Sequence, residues 1–226
     1  MFFPRLSITI PENLVYRYMG FLKENKVPED WKYRIKEAIK QARVYLKPTG
    51  MMKTEEICSE LLDKWEWNTL KFGGKQVKRV INRGYKITFL IATIGGDLEK
   101  QVESYTKHQD LTSAYLWDSI GTVAVHQTVE QLKKYIKPMA QREGAQLSPR
   151  MAPGYGDWMI EAQSLFFKYL DFNRVGVTFN DDYLIIPKHS LTGIIVWTHQ
   201  NVTPNEPCQT CAKFDCIYRK TPVKVS

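Results

Sequence analysis

The chain has 226 residues, 43% hydrophobic and 25% charged, enough to bury a core without disulfide staples and too apolar for a disordered tail. It carries 32 Lys and Arg against 24 Asp and Glu, a formal net charge of +8. The cations spread through Lys23 to Lys53, Lys71 to Lys86 and Lys133 to Lys137 among acids, with no zinc-finger spacing or RNA-binding aromatic motif, which argues against a nucleic-acid partner.

No run approaches the roughly 20 apolar residues that span a bilayer, and the start MFFPRLSITIPE lacks a secretory signal's basic-then-apolar order, so the expectation is a cytoplasmic protein with no membrane contact. Pro28, Glu29 and Asp30 open a helix, because proline suits the first helical position and acids suit its positive end. Trp31, Ile35, Ala38, Ile39, Ala42 and Leu46 keep its spacing up to Lys47-Pro48. A second helix is expected over Thr54 to Leu62, then extended chain from Trp65 to Phe72 broken by Gly73-Gly74.

Lys86 to Ile94 is a nearly continuous apolar run ending at Gly95-Gly96, which predicts a strand covered on both faces and then a helix from Asp97. From Gln109 to about Tyr135, Leu111, Ala114, Leu116, Ile120, Val125, Val129 and Leu132 predict the longest helix, with Gly121 and Ala124 small enough for close approach of another element. The two prolines and two glycines of Ser148 to Gly156 exclude regular structure, and Asp157 is expected to cap a helix reaching about Leu170. Arg174 to Phe179, Tyr183 to Pro187 and Leu191 to Thr198 predict three strands of one antiparallel sheet. Segregated helices and strands without a linker predict one α+β domain over residues 1–226, a twisted antiparallel sheet flanked by helices. Its parts are an N-terminal helical lobe (1–85), a core (86–200) and a cysteine-containing tail (201–226).

The four histidines are scattered and none stands beside a Ser or Cys nucleophile, which disfavours a hydrolase; no dinucleotide fingerprint or Walker loop is present. Cys208, Cys211 and Cys216 form C-x2-C-x4-C while Cys58 stands alone. Three thiolates are one ligand short of a tetrahedral zinc site or an iron–sulfur cluster, which Cys58 or an outside ligand would complete. In the loop Arg150-Met-Ala-Pro-Gly-Tyr155, the guanidinium fork matches a carboxylate, glycine lets the backbone approach a ligand, and the tyrosine ring attracts a cation. That set suits a zwitterionic, cationic ligand; the competing reading is a stiff connector with Tyr155 in the core and Arg150 paired to an acid.

Arg150, Ala152, Pro153, Gly154 and Tyr155, with Val175 to Asn180 and Leu184 to Gly193 downstream, resemble the S-adenosylmethionine-binding activation domain of cobalamin-dependent methionine synthase. Ala92 to Gly95, Asp118 to Gly121 and the C-terminal cysteines extend the resemblance to its stand-alone, single-domain relatives, over roughly residues 86 to 219. The resemblance implies an activation-domain-like fold and a separate activation subunit. It also implies that cob(II)alamin, held by a cobalamin-binding methionine synthase chain, is reduced by a flavodoxin- or ferredoxin-like donor and methylated from S-adenosylmethionine. It further implies that Arg150 clamps the donor's carboxylate, that Ala152 and Gly154 offer backbone groups, and that Tyr155 lines the site near adenine or sulfonium. This chain departs from the family at Gly156-Asp157-Trp158, and where the family has an acid on the long helix it offers Thr122 and His126. Asp118, Glu143 and Asp157 are the acids that would compensate. Two other functions fit the same sequence: an iron–sulfur redox activator of another corrinoid protein through Cys208, Cys211 and Cys216, and a non-enzymatic adaptor docking an acidic partner.

Overall fold

The computed structural model describes residues 1–21, 23–64 and 74–200. A five-stranded antiparallel sheet, in the order β1-β2-β3-β7-β4, is built from β1 (Phe2–Phe3), β2 (Thr49–Glu56), β3 (Lys86–Thr93), β4 (Gln146–Leu147) and β7 (Ser190–Thr198). A separate two-stranded hairpin joins β5 (Thr178–Phe179) to β6 (Ile185–Ile186). With α1 (Glu12–Tyr18), α2 (Glu29–Ala42), α3 (Ser59–Lys64), α4 (Lys75–Ile81), α5 (Asp97–Lys107), α6 (Leu111–Arg142), α7 (Gln163–Phe166) and α8 (Phe172–Val175), the fold is α+β, as the sequence predicts. Among the described residues, no helix is long and apolar enough to cross a membrane.

The centre is β3, paired along its length with β2 (Lys86 opposite Glu56) and with β7 (Lys86 opposite Trp197). Successive side chains leave a strand on opposite faces, and both faces are covered here. Ile87, Phe89 and Ile91 pack with Trp158, Phe166, Leu170 and Phe172. On the other face, Leu90 and Ala92 meet Val129, Leu132 and Ile136 of α6. Phe89 is fully buried, a burial of roughly 1.5–3 kcal/mol. Beyond the sheet, α1, α2 and α5 close around the N-terminal half of α6, where Ile35, Leu98, Leu116 and Ile120 share a second core.

Helix α6 is capped by Asp110, whose carboxylate accepts from Ser113 N at 3.0 Å. It runs past Tyr135 and through Pro138, because Ile136 and Ala140 are buried on either side and their packing outweighs the one helical bond that proline removes. Gly121 is where the sequence expects a close approach: a Cβ there would stand 2.6 Å from His189 Nε2 and 2.7 Å from Leu98 Cδ2.

Three expectations need correction. Thr54 to Glu56 end a strand, since β2 pairs with β3 through Glu56, and the helix begins only at Ser59. Asp157 caps no helix of its own: a 3-10 turn at Ile160–Ala162 and the four-residue α7 follow it. Its carboxylate instead accepts from Lys75 N at 2.6 Å, at the start of α4. Residues 172–175 are helical, capped by Asp171, and β5 and β6 pair only with each other, so β7 alone of the three expected strands joins the sheet. Trp65 to Phe72 lie outside the described residues.

Candidate functional site

The Arg150 loop is tied to β7. Met151 and Ile194 exchange both backbone hydrogen bonds, at 3.0 and 2.8 Å, and Ser148 N donates to Val196 O at 2.8 Å. Met151 packs into the core beneath the sheet, so Arg150, one residue before it, leaves on the opposite face, the side of α6. There its stem lies over Gly193, where a Cβ would stand 2.7 Å from Arg150 Cγ. Arg150 Nη1 donates to Thr192 O at 2.6 Å, and the guanidinium carbon sits 5.7 Å from the ring centre of Tyr155. Thr192 is held in turn, its hydroxyl donating to Gln163 Oε1 at 2.6 Å. Among the described residues, no carboxylate lies within ion-pair distance of Arg150.

The rest of the loop makes a tight turn. Gly154 has φ +82°, a left-handed backbone that glycine adopts without strain, and its N–H donates to Trp158 O at 2.8 Å. Tyr155 N donates to Ala152 O at 3.3 Å. Ala152 and Trp158 are buried, whereas Tyr155 is 61% exposed; of the two readings open from sequence, a tyrosine plugging the core and an arginine paired to an acid are not what the chain builds. The loop thus presents a planar cation over an open aromatic ring.

A second polar group stands at the start of β7. His189, buried, places Nε2 3.4 Å from Asp118 Oδ1 and 3.2 Å from the Asp118 carbonyl, while Lys188 Nζ donates to Asp118 Oδ1 at 2.6 Å. The hydrogen bond from His189 outweighs partial burial and, with Lys188, holds the Asp118 carboxyl down to about 2. His189 Nδ1 is shielded and has no hydrogen-bond partner among the described residues. One turn along α6, Thr122 Oγ1 donates to the Asp118 carbonyl at 3.0 Å.

Of the three acids that sequence reasoning offers, two are committed elsewhere. Asp157 caps α4, and Glu143 takes Lys86 Nζ at 2.7 Å and the Tyr85 hydroxyl at 2.8 Å beside the far end of β7. Asp118 remains, on the α6 side of the sheet. His189 and Gly193 lie in the Leu184 to Gly193 block, but their contacts are set by the fold: the loop's pairing with β7 brings Gly193 to Arg150, and the packing of α6 at Gly121 brings His189 to Asp118. Cys208, Cys211 and Cys216 lie outside the described residues, and Cys58 is free and exposed. No group of three or more His, Cys, Asp or Glu able to hold a metal occurs among the described residues.

No family model and no curated protein matches this sequence. A solved structure does: the crystal structure of the MetH reactivation domain bound to AdoHcy superposes with a TM-score of 0.55 and 14% identity, over 88% of this chain and 80% of that one. The two chains share a fold. At that identity the likeness establishes the arrangement of elements alone, and the reactivation-domain fold is the frame in which the Arg150 loop sits beside β7.

Proposed function

We propose that this chain binds S-adenosylmethionine and acts as the separate reactivation subunit of a cobalamin-dependent methionine synthase, supporting reductive methylation of cob(II)alamin to methylcobalamin. One observation carries the reading: the Arg150 guanidinium is held by Thr192 O and by the Tyr155 ring but has no acid of its own among the described residues. A partly buried arginine left without a counter-ion is matched to an anionic ligand, and its fork takes a carboxylate by two parallel hydrogen bonds. The reactivation-domain fold, in a neighbour solved with AdoHcy, supports the same ligand class.

In this reading Arg150 takes the ligand's carboxylate, Ala152 and Gly154 line it with backbone groups, and Tyr155 offers its ring to the sulfonium or the adenine. S-adenosylmethionine, when bound, supplies the methyl group; the electron comes from a flavodoxin- or ferredoxin-like donor and the cobalamin from the partner chain. The methyl leaves a sulfonium without taking or releasing a proton, so the chain needs no acid or base. Its contribution is position: docking a pre-oriented donor turns a bimolecular encounter into a transfer within one complex.

The test is calorimetric titration with S-adenosylmethionine and S-adenosylhomocysteine, followed by recovery of activity in an oxidised methionine synthase supplied with reductant. Saturable binding and recovery that requires both this chain and S-adenosylmethionine are expected. Absence of binding at millimolar ligand, alone and with the cobalamin partner present, overturns the reading.

A further inference from the structure

The first residues of strand β7 run between two polar groups on the face turned toward α6. Leu191, Gly193, Ile195 and Trp197 share that face by alternation; Ile195 and Trp197 pack with Val129, Leu132 and Ile136 of α6. Arg150 lies over Gly193 on this side, and His189, two residues before Leu191, meets Gly121 of α6 on it. Leu191, the residue between, is only partly buried. Arg150 is fastened at Thr192 O and Asp118 at His189. Three residues of extended chain separate those anchors, roughly 10 Å at about 3.3 Å per residue. The strip therefore has a cation at one end, a carboxylate at the other, and part-exposed Leu191 between them.

Resting on the ligand class proposed above, we infer that Asp118 is the second anchor of the site and accepts the ribose hydroxyls of the bound nucleoside. A carboxylate is the usual partner of a ribose diol, since two acceptor oxygens meet two adjacent O–H donors. An amino-acid arm joined through sulfur to a ribose spans about the distance between the two ends, so a ligand whose carboxylate is on Arg150 brings its ribose to Asp118. Asp118 is ready for that role: it is charged, part-exposed, and fixed by buried His189 from behind. Lys188, 64% exposed at its side chain, covers the carboxylate from the solvent side and is the group a ribose displaces.

The experiment is titration of the full chain and its Asp118→Asn and Lys188→Ala variants with S-adenosylhomocysteine and with its 2′,3′-dideoxy analogue. Asp118→Asn is expected to weaken S-adenosylhomocysteine about tenfold and to leave the dideoxy analogue within twofold. Lys188→Ala, which uncovers the carboxylate without removing it, is expected to tighten S-adenosylhomocysteine about threefold, a sign that a merely structural ion pair does not produce. Equal losses for both ligands in Asp118→Asn, or no loss for either, overturn the assignment while leaving Arg150 as the clamp. If the unmodified chain binds neither ligand, with or without the cobalamin partner, both this inference and the ligand class on which it rests fail.

Discussion

Gly193 lies beneath Arg150 so closely that a Cβ at 193 would stand 2.7 Å from Arg150 Cγ and 2.9 Å from Met151 O. The missing side chain is what lets the arginine cross the strand and reach Thr192 O. Gly193→Ala is expected to displace the guanidinium and to cost about 1–3 kcal/mol of stability, the range for forcing atoms into a packed site, because Met151 O belongs to a paired backbone. Thermal unfolding reads the second effect and S-adenosylmethionine titration the first; a variant with unchanged melting and binding places Arg150 elsewhere.

Arg150→Ala removes the charged hydrogen bonds of the proposed clamp and is expected to weaken S-adenosylmethionine binding by about 1.5–3 kcal/mol. Arg150→Lys keeps the charge and loses the fork, so it should recover only part of the affinity. Titration of the two variants side by side separates charge from geometry, and unchanged affinity in Arg150→Ala removes the residue from the site.

Asp118 gives the chain an acid-sensitive element. Its folded carboxyl is lowered from 3.8 to about 2, so the stabilisation is complete above pH ~4 and is lost as pH falls toward ~2, about 2 kcal/mol in all. Denaturant unfolding of Asp118→Asn across pH 7 to 2 is expected to show a smaller stability loss in that window than the parent. Parallel curves for the two proteins would mean that the carboxyl titrates normally.

At Gly121 two effects oppose each other. Alanine in a helix interior is favoured over glycine by about 1 kcal/mol, but a Cβ here meets His189 Nε2 at 2.6 Å and Leu98 Cδ2 at 2.7 Å. Overpacking costs about 1–3 kcal/mol and is expected to win, so Gly121→Ala lowers the melting temperature and disturbs the Asp118 pair. A raised melting temperature would mean that His189 yields freely.

Asp157→Ala takes away the side chain that accepts from Lys75 N and is expected to cost about 0.5–2 kcal/mol, the range for a lost helix cap, with Asp157→Asn much milder. Hydrogen exchange at the first turn of α4 should rise in the alanine variant. Exchange that stays as in the parent would assign the cap to another group.

Some of this was legible in the residues alone. The apolar spacing of α2 and α6, the continuous apolar run of β3 and the α+β class follow from periods of burial that any compact fold must satisfy. The residue types of the Arg150 loop were legible too, because a guanidinium fork, a glycine without a side chain and an aromatic face are properties of the residues themselves; the left-handed backbone at Gly154 is not. Tertiary structure decided the rest. Thr49–Glu56 is a strand because it pairs with β3 on one side and β1 on the other, a long-range term that a local helical pattern does not contain. Asp157 looks like the cap of the helix that follows, yet it caps α4, 82 residues earlier in the chain, because folding brings Lys75 N to it. Likewise Arg150 could have paired with an acid. Among the described residues it is left without one, because the loop pairs with β7 across Gly193, while Glu143 is drawn to Lys86 and Asp118 to His189 and Lys188. Side-chain type sets what a group can bind; which partner is near enough to satisfy it is a property of the folded chain.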